Sequence, residues 1–236
     1  MSDITELSIA ELSEAFRDKL LSPVAATEAY LARISTHNDK VNAFVTIRGD
    51  EALAEAKQAE AEIAGGAWRG PLHGIPIGHK DLYQTAGVRS TAGSRVLENH
   101  VPDEDATAVA RLKQAGAVYI GKTTLGELGA GDTHGSLFGS TCNVYDLERT
   151  AGGSSGGSGA SVSANFATAA VGQEGFASIR RPSIWNGICG ARPTAGLVSR
   201  GGVYAGWPSV IGSLGPMTRT VTDLAKLLDC MGGYDP

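Results

Sequence analysis

The chain is short of cysteine, of charge and of long apolar runs, and each shortage excludes a class of protein. Its three cysteines are far apart and none stands in a C-x-x-C pair, so neither a zinc site nor a disulfide framework is indicated. Charged residues make up only 19% and the net charge is −5, which is unlike the basic surface of a nucleic-acid-binding protein. No apolar run approaches the roughly 20 residues of a membrane helix, and the polar N-terminus lacks the pattern of a signal peptide. We therefore expect a cytoplasmic protein that binds neither nucleic acid nor membrane.

Hydrophobic residues make up 42% of the 236 residues, and a chain of this length and composition can bury a substantial core. Residues 1–65 are predicted to be mainly helical, with a capping box at Ser8 and Glu11 and a helix start at Ser22-Pro23. From residue 70 onward, helical segments alternate with short apolar strands, for which we predict the ranges 75–80, 116–121 and 167–171. This alternation is typical of an α/β sheet. The prediction is a single α/β domain over 1–236, with a helical N-terminal region (1–65) and an α/β core (70–236).

The densest cluster of glycine and serine lies between residues 149 and 182. Five glycines and three serines fall between Gly152 and Gly159, and a second small-residue turn ends in Ser178. Glycine is used this densely where the backbone takes unusual dihedrals or approaches a ligand closely. Serine hydroxyls on such loops are candidate nucleophiles, proton relays or anion ligands.

Two generic motifs match in this part of the chain but lack their usual context. Residues 116–123 fit the phosphate-loop pattern G-x-x-x-x-G-K-T, yet the four middle residues are predicted to be a strand instead of a turn. We interpret Lys122 as a solvated lysine at a strand end. Residues 152–156 fit the G-x-S-x-G nucleophile elbow, which needs a later histidine. All five histidines precede it, so that triad would need a base from elsewhere.

Lys80 offers a different base. It ends a short apolar strand, and a lysine accepts protons once burial lowers its pKa from about 10.4 towards neutrality. A serine can relay the proton when direct contact is too long, and the turn at 175–178 would then supply both nucleophile and oxyanion hole. In the competing interpretation, Lys80 pairs with a carboxylate and the serines cap a helix. Residue chemistry alone leaves both open.

Three blocks of the sequence resemble the amidase signature enzymes. They are GIPIGHKD at 74–81, GGSSGGS at 152–158 and GQEGFASIRRP at 172–182, and they occur in the family's order. The resemblance extends to residues 121–123, 143–146 and 215–220 and covers most of the chain. This family includes fatty acid amide hydrolase, malonamidase, peptide amidase and the amidotransferase subunit that makes Gln-tRNA. The resemblance implies a central mixed β-sheet flanked by helices, of which this chain would hold only the N-terminal half.

The resemblance also implies specific roles. Ser178 would be the acylated nucleophile, Lys80 the base, and Ser154 the bridging serine after a cis Gly153–Ser154 peptide bond. The backbone N–H groups of the oxyanion hole would be those of Gly175, Phe176, Ala177 and Ser178, and the residues that hold both loops would be Ser155, Glu174 and Arg180. We expect a serine hydrolase that cleaves a small-molecule carboxamide, with esters and carbamates as further substrates, and without metal or organic cofactor.

The sequence departs from the family pattern at Gly175-Phe176-Ala177, where relatives usually carry Thr-Gly-Gly. We expect Phe176 and Ala177 to restrict the loop and to place an aromatic ring near the reacting carbonyl. The departure argues against an amidotransferase A-type glutaminase, which stays the alternative to the plain hydrolase. A catalytically incomplete interaction module is a second alternative. His79 should face away from Lys80 and serve in packing.

Tyr204 and Trp207 could line an acyl pocket, with ordinary packing as the competing interpretation. Family members are considerably longer than 236 residues, and the chain ends in what looks like a continuing loop. We therefore expect it to be incomplete at its C-terminus, with an apolar sheet face to cover. The expected partner is a C-terminal half present as a second polypeptide, or a second copy in a homodimer.

Overall fold

The computed structural model describes residues 3–204 and 212–235, which form seven α-helices and eight β-strands. The helices are α1 (Ile9–Arg17), α2 (Pro23–Val41), α3 (Gly49–Ala64), α4 (Thr107–Gln114), α5 (Gly156–Ser163), α6 (Arg180–Trp185) and α7 (Val221–Met231). The strands are β1 (Phe44–Ile47), β2 (Pro76–Lys80), β3 (Val118–Thr123), β4 (His134–Gly135), β5 (Gly139–Ser140), β6 (Ala169–Glu174), β7 (Cys189–Gly190) and β8 (Ser213–Thr218). Three short 3-10 helices lie at Ile4–Glu6, Arg95–Leu97 and Glu127–Gly129.

Six strands form one mixed sheet in the order β1-β3-β2-β6-β8-β7. At its centre β2 is parallel to β3 and to β6, while β1, β8 and β7 pair antiparallel with their neighbours. Lys80 lies opposite Thr123 of β3, and His79 lies opposite Val171 of β6. The predicted mixed α/β architecture is confirmed. The two short strands β4 and β5 form a separate ribbon.

The N-terminal helices begin where their capping residues predict. Ser8 and Glu11 form the capping box of α1, and the Ser22 hydroxyl accepts from the first-turn amides of α2, which has Pro23 at its start. The buried Asp223 of α7 accepts hydrogen bonds from the backbone amides of Ile9 and Ala10 at 3.1 Å. The Asp223 carboxylate thus connects helix α7 to the N-terminus of helix α1.

Several boundaries differ from the predicted ones. Strand β3 begins two residues later, because Gly116 has a φ of +80° and closes the end of α4 instead. Strand β6 runs on to Glu174, three residues past its predicted end. Helix α5 begins at Gly156, so Gly156, Gly157 and Gly159 lie in a helix that the intrinsic propensity of glycine disfavours.

The core continues from the N-terminal helices into the sheet. Apolar side chains from α1, α2, β2, β6 and α7 belong to one buried cluster, which includes Leu12, Tyr30, Ile77, Val171 and Leu227. Burial of this area supplies the main driving force that holds the N-terminal region on the sheet. Within residues 3–204 and 212–235, no helix has the length and hydrophobicity to span a membrane.

Candidate active site

Three segments meet at one edge of the sheet. Because β2 and β6 are parallel neighbours, their carboxyl ends lie at the same edge, and these ends carry Lys80 and Glu174. The serine-glycine loop (residues 152–158) reaches the same place as it enters α5. The Ser178 turn (residues 175–178) follows β6 directly and leads into α6. Residues far apart in sequence are brought together by the parallel topology.

The Lys80 side chain is completely buried and contacts Ser154. Its Nζ lies 2.8 Å from Ser154 Oγ and donates to the Gln173 carbonyl oxygen at 3.2 Å. Both Lys80 and Ser154 are 0% exposed. The base and the bridging serine that the resemblance implies are therefore in hydrogen-bond contact.

Burial sets the charge of Lys80. Desolvation lowers the pKa of its amine well below the ordinary lysine value, and the carboxylate of Glu174 raises it in part. Desolvation is the larger effect, since no carboxylate contacts Nζ directly among the described residues. The environment favours the neutral amine, which is the form that accepts a proton.

Close packing accounts for the glycines of the serine-glycine loop. A Cβ at Gly157 would lie 2.6 Å from the Thr124 carbonyl oxygen, and one at Gly153 would lie 2.6 Å from the backbone of Asp132. The Gly153–Ser154 peptide bond is cis, as the resemblance implies. Only glycine allows this backbone to approach its neighbours so closely.

Ser155 connects the two segments. Its hydroxyl lies 3.2 Å from the Gln173 carbonyl oxygen and accepts from the Gln173 N–H at 3.3 Å. Its backbone N–H donates to the Ser178 carbonyl oxygen at 3.1 Å. The serine-glycine loop is therefore tied both to β6 and to the Ser178 turn.

Glu174 and Arg180 hold the far side of the Ser178 turn. The buried Glu174 carboxylate accepts from the backbone amides of Ile179 and Arg180, each at 2.9 Å, and from Arg180 Nε at 2.7 Å. Arg180 Nη2 in turn donates to the Phe176 carbonyl oxygen at 2.7 Å. These charge-assisted bonds restrain the main chain on both sides of Ser178.

The Ser178 turn itself is open. Phe176 is 72% exposed, and its neighbours are partly buried. Within the described ranges, none of the four backbone N–H groups from Gly175 to Ser178 donates a hydrogen bond, and the Ser178 hydroxyl has no partner either. The predicted contact between the hydroxyls of Ser154 and Ser178 is therefore not formed here. None of the four residues has a positive φ, so no position of the turn requires glycine. The expected restriction of the loop by Phe176 and Ala177 stays a prediction.

The interpretation of Lys122 as a solvated lysine is wrong. Its side chain is completely buried, and Nζ donates to Thr85 Oγ1 at 2.8 Å and to the Tyr83 carbonyl oxygen. Desolvation lowers its pKa to about 7, against the opposing attraction of Asp81 and Asp105. The prediction failed because β3 lies between β1 and β2, so that its carboxyl end is inside the molecule.

Two further predictions concern aromatic neighbours. His79 is buried and stacks on Tyr119 with ring centroids 4.2 Å apart, which agrees with its predicted packing role. Tyr204 packs on the core, and its hydroxyl lies 2.7 Å from His100 Nε2, as ordinary packing predicts. Trp207 lies outside the described residues.

Sequence reasoning gave no role to Tyr83. Its hydroxyl donates to the Gly172 carbonyl oxygen at 2.6 Å. The available signal was its position three residues after Lys80.

Comparison with known proteins gives consistent matches over nearly the whole chain. The Amidase family model matches residues 25–236. The chain is 46% identical over 235 residues to the A subunit of a glutamyl-tRNA(Gln) amidotransferase from Geobacter sp., and 47% identical over 234 residues to that of Geotalea daltonii. In both cases 99% of this chain matches 48% of the relative. The chain thus spans about half the length of these curated relatives.

Solved structures show the same relation. Native peptide amidase from Stenotrophomonas maltophilia superposes with a TM-score of 0.91 at 37% identity, over 98% of this chain and 48% of that one. A chain of a vestigial protein complex, described as revealing the evolutionary origins of an s-triazine catabolic enzyme, superposes with a TM-score of 0.94 at 36% identity, over 98% and 50%. Together with the family match over residues 25–236, these similarities show that the chain belongs to the amidase family.

Proposed function

We propose that the protein cleaves a carboxamide by acyl transfer, with Ser178 as nucleophile, Ser154 as proton relay and Lys80 as base. The observation that carries this proposal is the contact of the buried Lys80 amine with Ser154, 2.8 Å apart at the edge where β2 and β6 end. A buried lysine with a lowered pKa, in contact with a serine, is a pattern that enzymes use to activate a nucleophile.

The proposed reaction begins with proton transfer. Neutral Lys80 takes the Ser154 proton as Ser154 takes that of Ser178, whose hydroxyl turns towards Ser154, and Ser178 Oγ attacks the carbonyl carbon. The unengaged amides of the Ser178 turn then donate to the developing oxyanion. The relay returns the proton to the leaving nitrogen, the C–N bond breaks, and water later releases the acid from Ser178.

The similarity to amidotransferase subunits supports the amidotransferase alternative, for which we expect glutamine as the substrate. Two relatives, 46% and 47% identical to this chain, are both glutamyl-tRNA(Gln) amidotransferase A subunits, so the amidotransferase alternative fits better than a stand-alone hydrolase. The departure at Phe176 and Ala177, which argued against it, leaves the main chain of the turn unstrained. We therefore propose a glutaminase activity that passes ammonia on within a larger assembly.

A stand-alone amidase is the second candidate, and Phe176 is the observation that favours it. Its exposed ring stands two residues before Ser178, where it would meet the acyl group of a bound substrate. An aromatic surface in that place stabilises apolar acyl groups better than the polar glutamine side chain.

Labelling with a fluorophosphonate probe tests the chemistry. We expect the probe to modify Ser178, with complete loss in Ser178→Ala and a loss on the order of 10³-fold or more in Lys80→Met. Ser183→Ala, which removes a buried serine of α6, is the matched control and should label normally. A folded protein that resists the probe, alone and with the complementary half, would leave only the incomplete interaction module.

Substrate assays separate the two candidates. Glutamine hydrolysis that rises when the partner polypeptides are added supports the amidotransferase. Turnover of apolar amides or anilides without glutamine hydrolysis supports the stand-alone amidase instead.

A further inference from the structure

We propose that Lys122 is a positioning residue of this active site, which acts through Tyr83 to fix the Gln173 carbonyl group that binds Lys80. The inference rests on the proposed role of Lys80 as base. Lys122 contacts neither Lys80 nor either serine, so its effect passes through the residues between them.

The first link joins Lys122 to the main chain of Tyr83. Lys122 lies in β3, and its ammonium group donates to the Tyr83 carbonyl oxygen and to Thr85 Oγ1. Both acceptors belong to the segment that follows β2, directly after Lys80. The buried lysine therefore holds this segment against β3 at the point where β2 ends.

The second link joins Tyr83 to β6. The Tyr83 side chain is completely buried, and its hydroxyl donates to the Gly172 carbonyl oxygen at 2.6 Å. Fixing the Tyr83 main chain fixes the ring, and a buried ring in close packing transmits that restraint to its hydroxyl. Gly172 is thus held from the side of β2.

The third link is the next carbonyl along β6. The Gln173 oxygen is the second partner of Lys80 Nζ, at 3.2 Å, and the same oxygen lies 3.2 Å from Ser155 Oγ. When Lys80 donates one N–H to Gln173, its lone pair is directed away from that carbonyl and is available to Ser154. The position of this carbonyl therefore decides how the base presents its lone pair.

Electrostatics explain why a lysine occupies this place in spite of the desolvation it suffers. Asp81, the residue after Lys80, attracts the Lys122 ammonium group, as does Asp105, while Lys113 and Arg48 repel it. Asp81 is buried, and its Oδ2 accepts from Thr91 N at 3.1 Å and from Thr91 Oγ1. An apolar residue at position 122 would fill the space but remove the donor that the Tyr83 carbonyl group binds and one of the two cations that attract Asp81.

Three variants separate positioning from general packing. Tyr83→Phe removes only the hydroxyl that contacts Gly172, and Lys122→Met removes the cation at similar volume. Tyr30→Phe is the matched control, since it also removes a buried tyrosine hydroxyl that donates to a backbone carbonyl, that of Thr5, but on the N-terminal helix α2. Thermal unfolding checks that each variant is folded, and Tyr83→Phe carries the test alone if Lys122→Met is not.

The primary readout is the ionisation of Lys80, followed by NMR of lysine side chains and assigned with Lys80→Met. A carbonyl oxygen binds an ammonium group more strongly than an amine, so displacing Gln173 should lower the pKa of Lys80 by about one pH unit in Tyr83→Phe and Lys122→Met. If these residues merely keep the site closed, water enters and the pKa rises towards the ordinary lysine value. A rise, or no change, overturns the inference.

The second readout is the rate of Ser178 labelling at pH values above the pKa of Lys80, where its amine is neutral. We expect a loss of about tenfold in each variant, little further loss when Lys122→Met is added to Tyr83→Phe, and an unchanged rate in Tyr30→Phe. Additive losses would refute a path through Tyr83. If even the parent protein resists the probe, the proposed function fails, while the Lys80 titration still decides the inference.

Discussion

The serine-glycine loop is buried along its whole length, whereas the Ser178 turn is partly exposed and contains an exposed phenylalanine, Phe176. The first is held on several sides: Gly156 N–H donates to Thr133 Oγ1 at 2.7 Å, and the Ser154 carbonyl oxygen accepts from Gly126 N–H at 2.9 Å. The second leaves its amides unengaged among the described residues. Lys80, the proposed base, needs dry and rigid surroundings to stay neutral. The Ser178 turn, which is proposed to bind substrate, needs backbone N–H groups that are not already used.

The largest expected effect follows from removing the Ser154 hydroxyl in the buried serine-glycine loop. Ser154→Ala should lower Ser178 labelling on the order of 10³-fold or more, because the proposed relay is then broken. The adjacent Ser155→Ala removes contacts to Gln173 only and should cost far less. Labelling rates measured by intact mass compare the two. Equal losses would mean that Ser154 acts by packing, like its neighbour.

The pH dependence of labelling tests whether water is excluded from the buried Lys80 amine. The pKa of Lys80 is lowered by burial, so the amine is neutral above that value and protonated below it. Labelling of Ser178 should therefore stay constant at high pH and fall about tenfold per pH unit once the pH drops below the lowered pKa. Rates corrected for the probe's own pH dependence give the profile. An acid limb near the ordinary lysine value would show that water reaches Lys80.

A change of one methyl group should affect stability strongly in the serine-glycine loop and weakly in the Ser178 turn. In Gly157→Ala the Cβ would meet the Thr124 backbone, and we expect a loss of about 3 kcal/mol in the free energy of unfolding. Ala177→Gly, in the Ser178 turn, should cost only about 0.5–1 kcal/mol through backbone entropy. Urea unfolding measures both. Similar losses at the two positions would contradict the difference in packing.

The smallest expected effect lies on the exposed side. Phe176→Ala removes a ring that is 72% exposed and should change the free energy of unfolding by no more than about 0.5 kcal/mol. Its effect should appear in substrate preference, with apolar amides losing several-fold relative to small polar ones. A large loss of stability together with an unchanged preference would assign the ring to packing.

Sequence reasoning reached the parts of the site that depend on residue type and order. The blocks around Lys80, Ser154 and Ser178 predicted the family and the mixed sheet, and the capping residues predicted the starts of α1 and α2. The helix caps are encoded by a few adjacent residues, whereas the mixed sheet was predicted through the family resemblance of the three blocks.

Features that depend on neighbours in space were not predictable. Lys122 looked solvated because its burial comes from strands on both sides of β3, and β1 was not predicted because four residues carry little pattern. That the turn accommodates Phe176 and Ala177 without a positive φ was not predictable either, because its φ values depend on the surrounding fold. The assignment to amidotransferase relatives came from comparison and not from the turn residues.

The contact between Lys80 and Ser154 joins positions 74 residues apart, and the one with Gln173 spans 93. Proteins dominated by such distant pairings fold slowly, because loop closure must precede the contacts that reward it. In the unfolded chain Lys80 is an ordinary, reactive lysine, and it becomes hidden only when β2 and β6 have come together. The rate at which this one amine becomes protected against an acylating reagent during folding therefore reports when β2 and β6 pair at the centre of the sheet.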